Sequence, residues 1–298
     1  MQLLKDFDTI IRHLAAAEPR ARVAVACPHD DHTCEAVAMA LEASIARFIL
    51  VGDPARIPFA PSEQVRIVAE PDADAAAARA VTLAREGRAD VVMKGLINTD
   101  NMLRAVLNKE RGILPPGRVL THITATAIPG RDGLLYFSDA AVIPYPTEAQ
   151  LEAMTGYLAG LCRKTGIAEP RIALIHCTEK SSPKFPVTES YAAVRAAAAA
   201  GAFGPAIVDG PMDLKTAVDP ESGRIKGIDS PIEGRADALV FPDIEAGNAF
   251  YKTVTWLTHC DNAGMLAGAA VPVVLPSRAD TSRSKLCSLA LAACSALL

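Results

Sequence analysis

The chain has 298 residues, of which half are hydrophobic and 21% are charged. This composition is typical of a folded globular protein, excludes a disordered one, and provides material for about two domains. The 30 Lys and Arg residues against 34 Asp and Glu give a net charge of −4, with no long basic block. This pattern argues against a sequence-independent nucleic-acid binder, and we expect no nucleic-acid partner.

Neither the apolar stretches nor the N-terminus predicts a membrane protein. The longest apolar stretches, residues 196–208 and 286–298, are shorter than the ~20 residues that span a bilayer. The N-terminus lacks the pattern of a signal peptide. The seven cysteines include no CxxC pair, which is typical of reduced, buried thiols. We therefore expect a cytoplasmic protein with no membrane partner.

Short apolar runs alternate with longer helical patterns along the chain. The runs predict strands at 22–26, 47–51, 65–69, 90–93, 134–138, 171–176, 206–209, 238–241 and 271–275. Among the helical patterns are those at 72–86, 147–163, 188–200 and 245–257. Continuous hydrophobic strands with intervening helices predict an α/β fold with a mostly parallel sheet covered on both faces. So many strands favour two α/β domains over one.

No low-complexity linker marks the boundary between these domains, so it must lie in ordinary loops. One candidate is 111–118, which contains a Pro-Pro-Gly turn, and the other is 264–270, ahead of the last predicted strand. If the chain crosses at both, residues 1–118 and 267–298 form domain I and residues 119–266 form domain II. The last strand and helix then complete domain I.

Polar residues follow directly after several predicted strands, at the edge where open α/β sheets bind ligands. Lys94 ends one strand, and Asn98 and Thr99 begin a helix that carries Arg104. Helix-start amides with nearby cations are typical of an anion site. The alternative is an ordinary helix cap with two solvated cations.

The last predicted strand leads into a second polar segment, Ser277-Arg278-Ala279-Asp280, with Arg283 close behind it. Arginine offers phosphate a bidentate fork and serine offers a short donor. The alternative is a helix cap with a surface ion pair.

A third segment places Asp243, Gly247 and Asn248 after another strand. Gly247 permits close approach of the backbone to a ligand. The alternative is again a helix-capping segment.

Other polar residues give weaker signals. The His-Asp-Asp-His run at 29–32 suggests a metal, but no further ligands are visible, and a solvated loop is the better interpretation. His176 and Cys177 are neighbours that point to opposite faces of an extended chain, which excludes a catalytic dyad. Zincin, P-loop and dinucleotide motifs are absent, so we expect no metal and no resident cofactor.

Taken together, these segments resemble the family of phosphotransacetylase and phosphate butyryltransferase. The resemblance rests on an ordered set of motifs at residues 89–95, 98–104, 137–141, 209–211, 226–231, 241–248 and 277–280. The Met-Lys-Gly and Ser-Arg-Ala-Asp forms are most similar to the butyryltransferase branch.

The resemblance implies transfer of an acyl group, butyryl or acetyl, between coenzyme A and inorganic phosphate, with coenzyme A as a substrate. It implies two αβα domains with a cleft between them, the architecture of isocitrate and isopropylmalate dehydrogenases, in a homodimer or larger homo-oligomer. It carries the acyl-phosphate-binding roles onto Ser277, Arg278 and Arg104. The other strand-end residues are predicted to bind substrate: Lys94, Asn98, Thr99, Asp243, Gly247, Asn248 and Arg283.

The identity of the base stays open. The acetyl enzymes of the family place an aspartate, proposed as the base for the coenzyme A thiol, seven residues after the serine, where this chain has Ser284. Asp280 is the nearest substitute, and the alternative is that Asp280 only caps a helix. Direct attack of the thiol requires no acyl-enzyme, although Cys177 or Ser277 as a covalent nucleophile is an alternative.

Two alternatives to an acyltransferase remain. One is a catalytically silent protein that binds acyl-CoA and phosphate, because the expected aspartate is missing. The other is a metal- or NAD-dependent dehydrogenase of the same fold.

Overall fold

In a computed structural model, which describes residues 2–277 and 280–297, the chain divides into two compact units. The split unit consists of Asp6–Leu120 together with the chain from Asp261 onward. The inserted unit consists of Thr121–Cys260 together with the residues up to Lys5. Each unit combines a β-sheet with helices, so the fold is α/β.

The boundaries between the units lie at 120/121 and 260/261, whereas the predicted boundaries were 118/119 and 266/267. The chain returns to the split unit earlier than predicted, because residues 262–267 form a strand of that unit. The first residues belong to the inserted unit, where the amide of Leu4 donates to the carbonyl of Thr165 at 2.9 Å.

The described residues form ten helices and eleven strands. The helices are α1 (Phe7–Ala15), α2 (Asp31–Glu42), α3 (Ala73–Arg85), α4 (Thr99–Val106), α5 (Glu148–Lys164), α6 (Val187–Ala199), α7 (Leu214–Val218), α8 (Pro220–Lys226), α9 (Ile244–Thr258) and α10 (Ser282–Leu297). The strands are β1 (Ala21–Ala26), β2 (Ala46–Gly52), β3 (Val65–Ala69), β4 (Val91–Lys94), β5 (Thr121–Thr126), β6 (Leu135–Ser138), β7 (Arg171–Ile175), β8 (Ile207–Met212), β9 (Ala238–Val240), β10 (Asn262–Ala267) and β11 (Val273–Val274).

The split unit orders its strands β3-β2-β1-β4-β11-β10. All of these pairs are parallel except the antiparallel pair β10–β11. The chain moves outward from β1 to β3 and then returns to place β4 on the other side of β1. The strand order therefore reverses between β1 and β4, which is a topological switch point.

Helix α10 is the most buried helix of the split unit. Every residue from Leu286 to Leu291 is buried, and the helix packs against α1, α2 and β10. Burying one leucine side chain, such as that of Leu289, stabilises a fold by about 1.5–3 kcal/mol. Helix α10 is thus a central part of the core of the split unit.

The inserted unit orders its strands β5-β6-β9-β7-β8, with β5–β6 antiparallel and the other pairs parallel. Its core contains Phe137, whose ring meets those of Phe241 and Phe250 edge-on at centroid distances of 6.0 and 5.1 Å. These contacts fix α9 against the sheet.

All nine predicted strands occur, and two more, β5 and β10, were missed. Each missed strand forms an antiparallel pair, with β6 and β11 respectively. The strands of each unit therefore combine parallel pairs with one antiparallel pair. None of the described helices is both long enough and apolar enough to cross a membrane.

Candidate functional site

Three strands of the split unit end side by side at its switch point. β1 and β4 are parallel, with Ala26 beside Lys94, and β4 and β11 are parallel, with Met93 beside Val274. The loops that follow these strands emerge at one edge of the sheet, beyond the carboxyl ends of the strands. This edge is where open α/β sheets bind ligands.

A cavity of about 170 Å³ lies among these loops and the start of α10. Its lining residues are Asp30, His32, Lys94, Gly95, Leu96, Pro276, Ser277 and Lys285. Because a water molecule takes up about 30 Å³ in the liquid, the cavity has room for a phosphate with a short acyl chain. Only the reactive end of a coenzyme fits inside it.

Two lysines of the cavity wall are buried, each with 3% of its surface exposed. Lys94 Nζ donates to the carbonyl oxygens of Gly95 and Ile97 at 3.3 and 3.2 Å. Lys285 Nζ donates to the carboxylate of Asp30 at 2.9 Å. Two ammonium groups against one carboxylate leave the described wall with a net positive charge. Because screening by water is weak at buried groups, this wall favours an anion.

Asp30 is held in its charged form. It caps α2 by accepting from the amide of Thr33 at 2.9 Å. Burial acts to raise the pKa of Asp30, but the hydrogen bonds from Thr33 and Lys285 outweigh it and hold the pKa below its usual range. A carboxylate held in this way is a poor proton acceptor.

The Asp30–Lys285 pair predicts an acid-sensitive contribution to stability. Because the pKa of Asp30 is lower in the folded chain than in the unfolded chain, this contribution is complete above about pH 4. It is lost as the pH falls through the folded pKa. We expect Asp30→Asn to lower the unfolding temperature at pH 7, and the deficit to shrink as the pH falls from 5 to 3.

Thermal unfolding followed by circular dichroism measures this deficit. The matched control is Asp31→Asn, at an exposed position next to Asp30, which is expected to change the unfolding temperature little at any pH. A deficit for Asp30→Asn that is constant over this pH range would contradict the prediction.

A hydrogen-bonded chain links α2 to α10 beside the cavity. The hydroxyl of Ser282 donates to Glu35 Oε2 at 2.5 Å, and its oxygen lies 3.2 Å from Nδ1 of His32. His32 and Glu35 lie about one turn apart on α2. The interpretation of residues 29–32 as a solvated loop holds in part. Asp31 and His32 are exposed, but α2 begins at Asp31, and Asp30 and His32 line the cavity.

Ser277 lies in the cavity wall, and Asp280 closes the loop that contains it. Asp280 Oδ2 accepts from the amide of Ser277 at 2.8 Å, and the amide of Asp280 donates to the carbonyl of Ser277 at 3.2 Å. Both described hydrogen bonds of Asp280 are thus with Ser277 and not with α10. Instead, Thr281 Oγ1 accepts from the amide of Ser284 at 3.1 Å. Arg278, a predicted catalytic residue, lies outside the described residues.

The predicted anion-binding residues after β4 lie at the start of α4. Asn98 occupies the N-cap position of α4, and Thr99 is its first residue. Arg104 is exposed in the same helix and is not one of the described residues of the cavity wall. The structure thus brings Lys94 and Ser277 together, but it does not place Arg104 with them.

Asp243, Gly247 and Asn248 lie in the inserted unit, where each has a local contact. Asp243 caps α9 by accepting from the amide of Ala246 at 2.7 Å. The side chain of Asn248 donates to the carbonyl of Ala140 at 2.9 Å. A Cβ atom on Gly247 would collide with the carbonyl oxygen of Asp139. The Asp243 contact is the helix cap that the alternative interpretation predicted. The contacts of Gly247 and Asn248 hold α9 against the loop after β6.

Arg283 has its charge satisfied by two carboxylates. Its guanidinium donates to Asp261 at 2.6 and 3.0 Å and to Asp8 at 2.7 Å. These hydrogen bonds, above all those to Asp261, raise the pKa of Arg283. Arg283 thus ties α10 to α1 and to the start of β10.

The expectation that His176 and Cys177 point to opposite faces, from which a catalytic dyad was excluded, was wrong. Sγ of Cys177 lies 3.7 Å from Nδ1 of His176, because both residues follow the end of β7 and are not part of an extended strand. Cys177 is also exposed, which corrects the expectation that the cysteines are buried.

The sequence reasoning missed His32 and Lys285 as site residues. His32 follows β1 at the same edge of the sheet, and that position was its available signal. Lys285 is a lone charge at the start of the apolar stretch 286–298. No group of three or more His, Cys, Asp or Glu side chains in the described part of the chain is placed to hold a metal.

The chain belongs to the phosphate acetyl/butaryl transferase family, whose model matches residues 60–293. It is 37% identical to the phosphate butyryltransferase of Clostridium acetobutylicum over 297 residues, which cover 98% of both proteins. It is also 37% identical to a phosphate acetyltransferase of Rhizobium meliloti over 94% of this chain and 90% of that protein. A solved branched-chain phosphotransacylase from Enterococcus faecalis V583 superimposes with a TM-score of 0.82, at 29% identity, over 93% of this chain and 99% of that structure.

Proposed function

We propose that the chain catalyses the reversible transfer of a short acyl group, butyryl or acetyl, between coenzyme A and inorganic phosphate. The observation that carries this proposal is the cavity at the switch point, where Ser277 of the Ser-Arg-Ala-Asp motif meets Lys94 of the Met-Lys-Gly motif. Membership of the family supports it over a dehydrogenase or a silent binding protein.

The residues of the cavity suit direct attack of the thiol on the acyl phosphate. The sulfur adds to the carbonyl carbon, an oxyanion forms, and phosphate departs with the electron pair of the broken C–O bond. Lys94 and Lys285 stabilise this negative charge in a buried setting, where preorganised donors act most strongly. Ser277 donates to the carbonyl or phosphate oxygen, and Asp280 positions Ser277.

Arg278 and Arg104 take part in phosphate binding in this proposal, on the strength of the family resemblance. Asn98 and Thr99 present the start of α4 to the same anion. We further propose that the two units are the αβα domains of an isocitrate dehydrogenase-like architecture and that the protein acts as a cytoplasmic homodimer. Sedimentation velocity tests the dimer.

The function is tested with purified protein, butyryl-CoA or acetyl-CoA, and phosphate, by colorimetric detection of free thiol. Thiol release that depends on phosphate and persists in EDTA supports the proposal. Binding of acyl-CoA and phosphate without thiol release would support the silent binding protein. Activity that requires a divalent metal and NAD would support the dehydrogenase.

Arg104→Gln is expected to raise the KM for phosphate about tenfold while kcat changes less. An exposed charge-assisted contact contributes about 1.5 kcal/mol, and its loss acts mainly on ground-state binding. Initial rates at varied phosphate concentration measure this change. Lys109→Gln, at an exposed position just after α4, is the matched control. An unchanged KM would place the phosphate away from α4.

A further inference from the structure

We propose that His32 is the base that removes the proton from the coenzyme A thiol, with Ser282 and Glu35 as its positioning residues. The proposal rests on the proposed acyl transfer and supplies the base that the sequence leaves open. His32 lines the cavity that contains Ser277, Lys94 and Lys285.

The hydrogen bonds determine which nitrogen of His32 is free to accept a proton. The single hydroxyl hydrogen of Ser282 is donated to Glu35 Oε2. The oxygen of Ser282 must then accept from Nδ1–H of His32, 3.2 Å away. In this tautomer Nε2 carries the lone pair. Nε2 has no hydrogen bond with any of the described residues, so it is available to a ligand in the cavity.

The hydrogen bonds that link His32 through Ser282 to the carboxylate of Glu35 also stabilise the product of proton transfer. When Nε2 takes up a proton, the positive ring is connected through Ser282 to the carboxylate of Glu35. In hydrolase triads a carboxylate orients and stabilises an imidazole directly. Here a serine hydroxyl lies between the two groups.

The other titratable groups around His32 are less suited to this step. Asp30 is committed to Lys285 and Thr33, which hold its pKa low. The Nζ atoms of Lys94 and Lys285 already donate to Gly95, Ile97 and Asp30, and they attract the thiolate that forms. Asp280 has Oδ2 bonded to the amide of Ser277.

The proposed step balances in protons and electrons. The thiol proton moves to Nε2 of His32 as the sulfur bonds to the carbonyl carbon and the C–O bond to phosphate breaks. The departing phosphate keeps the electron pair of that bond and then takes the proton from the imidazolium, leaving as hydrogen phosphate. In the reverse direction the imidazolium protonates the departing thiolate.

The test is the rate of acyl-CoA formation from butyryl phosphate and coenzyme A between pH 6.5 and 9.5. For His32→Gln we expect kcat at pH 7 to fall by about 10²–10⁴, the usual contribution of general base catalysis. The loss should shrink towards pH 9.5, because a thiol with a pKa near 8.5 then ionises unaided. Ser282→Ala and Glu35→Gln should show smaller losses with the same dependence on pH.

The control is His13→Gln in α1, at a partly exposed histidine outside the cavity, which is expected to keep normal kcat. Circular dichroism and the KM for butyryl phosphate check that His32→Gln folds and binds. Near-normal kcat, or a loss that is equal at every pH, would overturn the base role. So would a loss at low pH in Asp280→Asn that His32→Gln does not share. A parent protein inactive in both directions would instead overturn the proposed function, and the base role with it.

Discussion

Replacing Arg278 with glutamine is expected to lower kcat by about 10²–10³. This is the usual cost of removing one preorganised donor from a site where negative charge develops. The motif places Arg278 directly after Ser277, a residue of the cavity wall. Glutamine keeps much of the length and polarity of arginine but loses the charge and the bidentate fork.

Initial rates with saturating butyryl-CoA and phosphate give the kcat of Arg278→Gln. The matched control is Arg66→Gln, at an exposed arginine of β3 in the same unit, for which we expect an unchanged rate. If Arg278→Gln keeps the kcat and KM of the parent protein, the family resemblance does not transfer to this arginine.

Gly247→Ala is expected to destabilise the fold by about 3 kcal/mol. The new methyl group would collide with the carbonyl oxygen of Asp139, a backbone atom that cannot rotate away. Overpacking typically costs about 1–3 kcal/mol, and a collision with backbone lies at the upper end. At about 2–4 °C per kcal/mol, the unfolding temperature should fall by roughly 6–12 °C in calorimetry.

Gly160→Ala provides the control for this change. Gly160 also lies in a helix of the inserted unit, α5, but no atom outside the helix lies within 4 Å of an added Cβ. Alanine there is expected to stabilise the protein by about 0.5–1 kcal/mol. A Gly247→Ala protein with normal stability but weakened substrate binding would instead support the prediction that Gly247 approaches a ligand.

Strands with a continuous apolar pattern could be predicted from the sequence, and β3 was predicted at its observed bounds. The two missed strands have weaker patterns. β5 contains three threonines and a histidine among its six residues, and β10 contains Gly264 and no β-branched residue. Each pairs with the strand that follows it in the chain, β5 with β6 and β10 with β11, and this tertiary context overrides local propensity.

The candidate site was predictable where a polar residue lies at or just beyond the end of a strand. Lys94 is the last residue of β4, and Ser277 lies three residues beyond β11. His32 and Lys285 could not be recognised in the same way. Their roles depend on contacts between α2 and α10, across about 250 residues of chain. The contact of Asp280 with the amide of Ser277 could not be read from the sequence, which suggested a base or a cap, and the catalytic role of Asp280 stays a prediction.

The position of α10 in the chain has a consequence for synthesis on the ribosome. Its buried side chains and Lys285 complete the core and the cavity of the split unit, yet residues 121–260 are translated before it. At about 5–20 residues per second, the first part of this unit waits on the order of ten seconds for its last helix. During that interval the surface that α10 covers is exposed, whereas the inserted unit has all of its residues once Cys260 has emerged. We therefore expect nascent chains to gain a protease-resistant inserted unit first and a binding-competent cavity only once α10 has emerged.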